Sequence, residues 1–139
     1  MTSAILAATQ TKNTMNTNRY EEHYYYARDN KPNNPGKHPL ACVCIIKDKT
    51  TGKTHRGISI CSTNEKSFNK DTARGIAFQR ALNAARLEAT RYVKFTKSTS
   101  LAILALAKYG INYGDGFVAV SVPDAKLTEF EEKVCDDHR

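Results

Sequence analysis

In the stretch SFNKDTARGIAFQR, residues 67–80, the cations Lys70, Arg74 and Arg80 follow an aromatic, Phe68, and an amide, Asn69, with Asn64 and Lys66 just upstream. These are the residue types of a phosphate site. Ammonium and guanidinium groups bind phosphate oxygens, free backbone N–H groups at a helix start add to them, and a ring offers a face for a base. At about 100° per residue, Phe78, Ala81, Leu82, Ala85, Ala89 and Tyr92 share one helix sector, and Arg74 and Lys70 fall in or beside it. Cations at that end of a helix oppose its dipole, at about 0.3–1 kcal/mol each, a penalty that a bound anion would remove. The competing explanation is snorkelling, in which the charged heads stay wet while their stems cover apolar surface.

The wider charge pattern points the same way. Residues 66–97 hold eight cations, Lys66, Lys70, Arg74, Arg80, Arg86, Arg91, Lys94 and Lys97, against only Asp71 and Glu88, so this segment carries nearly all of the chain's formal +7. A local positive field of this kind attracts phosphates, either of a polymer or of a small nucleotide. Catalysis finds no comparable support: the chain has no Ser/His/Asp spacing, HExxH, Walker loop or GxGxxG. Glu129, Glu131 and Glu132 read as a solvated helix face, and His55 as structural. Cys42, Cys44, Cys61 and Cys135 sit in apolar contexts and read as reduced buried thiols. Cys42 and Cys44 share a strand face with four histidines elsewhere in the chain, but no CxxC or HxxxH spacing supports zinc. The expectation is a binding protein, not an enzyme, without cofactor or metal.

The elements that must position these residues form one domain. A chain of 139 residues with 40% hydrophobic and 25% charged content is of single-domain size. Residues 1–19, rich in Thr and Asn without apolar period, are expected to be a disordered tail, leaving 20–139 as the domain. No apolar run approaches the length of a membrane span, and MTSAILAATQ lacks the basic start of a secretory signal, so a cytoplasmic location is expected. LACVCIIKD (40–48), KTTGK and THRGISICS (54–62) read as a β-hairpin. The first strand is apolar on both faces and therefore central, whereas Gly57, Ser59 and Cys61 make one face of the second small enough to lie under a ligand or a close helix. A helix is expected from about Lys70 to about Tyr92, a second over 98–110, a strand at 116–122 and a third helix over 124–135. The tyrosines of YEEHYYYARDN suit an extra strand over 23–28, as edge packing or as a stacking platform. The fold class is α+β: an antiparallel sheet built on a central hairpin, with helices packed on one face, in the order β-β-α-α-β-α. On the helix, Ile76 and Leu87 form a second apolar stripe edged by Arg80 and Arg91, a candidate subunit contact.

At HRGISICSTNEKSFNKDTARGIAFQRALNAAR the chain resembles small phage-encoded proteins in which a strand ending Gly-Ile-Ser-Ile-Cys-Ser precedes a basic loop and a helix of the form Arg-Gly-Ile-Ala-x-x-Arg-Ala. The family is the first class of Thoeris anti-defence proteins, and the resemblance covers roughly residues 40–90. It implies a non-catalytic, homo-oligomeric sponge in the host cytoplasm that sequesters a cyclic ADP-ribose signal and, more broadly, cyclic oligonucleotides. On that reading the ligand-binding residues are Arg56, Phe68, Asn69, Lys70, Arg74 and Arg80. Phe68 would stack on adenine, Lys70 and Arg74 would hold the diphosphate, and Arg80 would reach in from a neighbouring subunit. Two other readings stand beside it: a basic nucleic-acid-binding protein with the helix laid along the phosphate backbone, and an inhibitor of a host protein.

Overall fold

The computed structural model describes residues 19–28, 39–60 and 69–137. Strands β1 (Tyr20–Arg28), β2 (Pro39–Asp48) and β3 (Thr54–Ile60) lead into helix α1 (Lys70–Leu87) and strand β4 (Arg91–Lys94). A 3-10 turn (Lys97–Thr99) then precedes helix α2 (Ser100–Ala107), strands β5 (Tyr113–Gly114) and β6 (Phe117–Val122), and helix α3 (Glu129–Asp137). All pairings are antiparallel, and the sheet runs β1-β2-β3-β6-β4, with β5 added alongside β6. The class is α+β. Of the expected tail only Arg19 is described; it pairs with Asp48 at 2.9 Å and belongs to the domain.

The hairpin forms as the alternation requires. β2 and β3 pair from Ala41↔Ile60 to Lys47↔Thr54. Their turn is closed by the Asp48 amide donating to the Lys53 carbonyl (2.8 Å) and by Gly52 at φ 80°, a left-handed conformation that suits glycine. β2 has Ala41, Val43 and Ile45 on one face and Cys42, Cys44 and Ile46 on the other, all at 0% exposure. Both faces therefore need cover, and the helices are divided between them instead of sharing one face as expected. α1 covers the side of Cys42, Cys44 and Ile46 with Ala73, Ala77, Ala81 and Leu82. α2 and α3 cover the other, where Ala102, Ile103, Leu106 and Cys135 join Tyr25, Val43, Ile45, Ile58 and Val120 in one core.

Gly57 explains how α1 sits so low. A Cβ at this position would run into the backbone of α1 at Ala77 and Ala81, so the small face of β3 lies under a close helix. Several boundaries differ from expectation. α1 ends at Leu87, where Glu88 takes the left-handed cap position (φ 51°), so Tyr92 lies on β4 at 62% exposure and not on a buried helix face. The β-forming run Arg91-Tyr92-Val93-Lys94 pairs with β6 instead. α3 begins at Glu129, after a Thr128–Glu131 capping box, and not near residue 124.

Candidate functional site at the start of α1

Asn69 caps α1. Its Oδ1 accepts from the Thr72 N–H (3.0 Å), taking one of the donors that a phosphate would otherwise find there. The next residues turn toward β1, because α1 lies across the face on which Tyr24 and Tyr26 stand. The Arg74 guanidinium lies over the Tyr24 ring, 4.4 Å from its centroid. The Lys70 ammonium stands 5.1 Å from the Tyr26 centroid, and the Arg28 guanidinium, arriving from the end of β1, lies 5.8 Å from the same ring. The cations on the apolar side of the helix are thus seated on aromatic faces, an attraction of about 0.5–1 kcal/mol each at exposed positions.

This seating keeps the Lys70 and Arg74 charges available. Neither Lys70 nor Arg74 makes an ion pair with another described residue, and both are exposed. Tyr24 in turn donates to Glu22 Oε1 at 2.9 Å. Burial pushes the Tyr24 phenol well above its ordinary range, with Cys44 and Glu22 adding to the shift, so it remains a neutral donor. The result is a ledge of three cations over two tyrosines beside a helix N-terminus. It can hold phosphate oxygens through charge-assisted hydrogen bonds.

The other expected residues are elsewhere. Arg56 faces the opposite side of the sheet, where it donates to Glu131 through Nε (2.9 Å) and Nη2 (2.5 Å) and to the Lys126 carbonyl (3.0 Å). Glu131 is at 0% exposure and also accepts from the Tyr25 hydroxyl at 2.6 Å, so it is a buried counter-charge and not part of a solvated face. Burial beside that carboxylate raises the Tyr25 phenol far above its usual range. Arg56 also lines a cleft of about 450 Å³ with Ile111, Asn112, Lys126, Leu127 and Thr128, remote from Arg74 in the fold. Arg80 is half-buried and donates to the Ile58 carbonyl at 2.7 Å; desolvation, then the nearby Arg91 charge, lower its pKa. Phe68, Lys66, Asn64 and Cys61 lie outside the described residues. Lys70, Arg74 and Asn69 are therefore gathered at one place, while Arg56 and Arg80 are occupied in holding the fold.

Sequence reasoning missed Arg28, which joins the ledge, and Glu131, which holds Arg56. Arg28 gives no local signal, because only the fold brings the end of β1 to the start of α1. Glu131 does give one: the spacing Thr128-x-x-Glu131 is a capping-box pattern. The described thiols Cys42, Cys44 and Cys135 are buried, and among the described residues no group of three His, Cys, Asp or Glu could hold a metal ion. No described helix is long and apolar enough to cross a membrane. Comparison of the chain with protein-family models, with curated proteins and with solved structures finds no match.

Proposed function

We propose that this protein is a non-catalytic binder of a small phosphate-bearing nucleotide, of the cyclic ADP-ribose class with cyclic oligonucleotides as the neighbouring class, and that it acts by withdrawing that ligand from other proteins. The observation that carries the reading is the pair Lys70 and Arg74, held over tyrosine rings at a helix start with no carboxylate among the described residues neutralising them. A site meant only for stability would pair such charges, whereas a site for a phosphate leaves them open. Phe68 directly precedes the Asn69 cap, and the resemblance makes it the ring for the base. Self-association belongs to the same reading, supported by the exposure of Ile76 (41%) and Leu87 (71%) on one stripe of α1.

The test is thermal shift against cyclic ADP-ribose isomers, cyclic di- and trinucleotides and a short DNA duplex, at low and physiological salt. A ligand at one hundred times its Kd adds about 2.7 kcal/mol of stability, several degrees of melting temperature. A shift with one cyclic nucleotide that survives salt, and that Arg74→Ala abolishes with little loss of intrinsic stability, is the expected result. A duplex-only shift that fades with salt would move the function to nucleic-acid binding. Silence throughout would end the nucleotide reading.

A further inference from the structure

A second surface stands apart from the start of α1. On β4, Val93 packs into the core shared with α2, so Tyr92 and Lys94 point to the other side of the sheet. Lys94 is in register with Phe117 of β6, which places Phe117 on that same face, diagonal to Tyr92. Both rings are open, Tyr92 at 62% and Phe117 at 44% exposure. On the far side of Phe117 its partner is Gly114, where a Cβ would meet no described atom within 4 Å. Arg91, in register with Ser121 of β6 across a bulge from Tyr92, borders this face. Neither Arg91 nor Lys94 is ion-paired to a described residue.

We propose that this face, with Tyr92 and Phe117 as stacking rings and Lys94 and Arg91 as phosphate contacts, binds single-stranded nucleic acid. Rings on adjacent strands can each take one base of a strand regardless of sequence, and the cations between and beside them follow its backbone. A second copy of the chain is the poorer occupant. Face-to-face docking would set Lys94 and Arg91 against the same two cations, with only Asp115 and Glu88 nearby in sequence to answer them. This inference is independent of the nucleotide reading, since none of its residues lies on the Tyr24–Tyr26 ledge.

The experiment is fluorescence anisotropy of labelled dT12 and rU12 with the full chain at 50 and 200 mM salt. Saturable binding is expected, and engagement of two phosphates gives a slope of about −1.4 in log affinity against log salt, a loss of roughly 7-fold over that range. Tyr92→Ala and Phe117→Ala each weaken binding by about 5- to 150-fold, the effect of losing one base–aromatic stack, while Tyr92→Phe retains it. Exposed positions make these variants foldable, which circular dichroism checks. Excess cyclic ADP-ribose does not displace the oligonucleotide. The proposal is overturned by absence of binding to both oligomers, by alanine variants that bind as the parent does, by displacement with the cyclic nucleotide, or by a dimer in light scattering that Tyr92→Ala dissociates.

Discussion

Replacing Glu131 with alanine removes one carboxylate and four hydrogen bonds at once: two from Arg56, one from the Tyr25 hydroxyl and one from the Thr128 N–H. Arg56 is 9% exposed and Glu131 0%, so the guanidinium left behind cannot recover full hydration. Breaking a buried pair in this way costs about 3–5 kcal/mol, and the lost helix cap, worth about 1 kcal/mol alone, falls within that figure because the same oxygens serve both. Against a total stability of about 5–15 kcal/mol, the melting temperature should fall by roughly 10–25 °C. Chemical denaturation of the parent, Glu131→Ala, Arg56→Met and the double variant Arg56→Met/Glu131→Leu closes the cycle. The double variant should recover most of the loss, because well-packed apolar groups replace a buried pair at little cost. A loss below about 1 kcal/mol for Glu131→Ala would refute the buried pair. Arg56→Met with unchanged stability but abolished ligand binding would return Arg56 to the ligand site.

Two further outcomes test other parts of the fold. Gly57→Ala forces a methyl group into the α1 backbone at Ala77 and Ala81, and overpacking of this kind should cost about 1–3 kcal/mol by urea titration, with Gly75→Ala, where a Cβ meets nothing, showing no such loss. His55 is pushed below its usual 6.5, chiefly by burial, and its Nδ1 accepts from the Asp124 N–H at 3.0 Å, which requires an unprotonated nitrogen. The unfolded chain therefore takes up a proton below about pH 6.5 that the folded chain refuses, so stability should decline as the pH drops from there toward the lowered folded value. Urea midpoints across pH 5–8 for the parent and His55→Asn measure it, and identical slopes would remove His55 as the cause.

The parts of this fold that could be read in the sequence are those fixed by neighbours along the chain. Two-fold alternation in LACVCIIKD and THRGISI marked the hairpin, and the small residues Gly57 and Ser59 left room for a ligand or a close helix, of which the fold supplies the helix. The same alternation already held the reason for helices on both faces, since Cys42 and Cys44 needed cover as much as Val43 did. Tyr92 was misplaced because no glycine or proline marks the end of α1; Glu88 stops it in a left-handed conformation that residue type does not announce. At the candidate site, the unusual position of Lys70 and Arg74 was visible from helical spacing, but the tyrosines beneath them come from a strand nearly fifty residues earlier. Arg56 was the reverse case: a lone strand arginine looks like a ligand residue until the fold supplies a carboxylate from α3.

The junction of β3 and β6 has a consequence for how the chain closes on itself. Gly57 and Ser121 are 64 positions apart, and the two strands share only the register pairs Arg56↔Val122 and Gly57↔Ser121. Bringing ends so distant together costs about 4 kcal/mol of chain entropy by the logarithmic loop law, more than two ladder pairs can return at about 0.5–1.5 kcal/mol per hydrogen bond. The closure is therefore sustained by burial and by hydrogen bonds past the ladder, where the Ala125 N–H donates to the Thr54 carbonyl (2.7 Å) and the Thr54 hydroxyl to the Ala125 carbonyl (2.9 Å). Val118 and Val120 sink to 1% and 0% exposure among Ile58, Ile103 and Leu106, and Arg80 takes the Ile58 carbonyl just past the last ladder pair. The β1–β2–β3 half of the sheet is joined by its backbone, and the β4–β5–β6 half is attached to it mainly by what it buries.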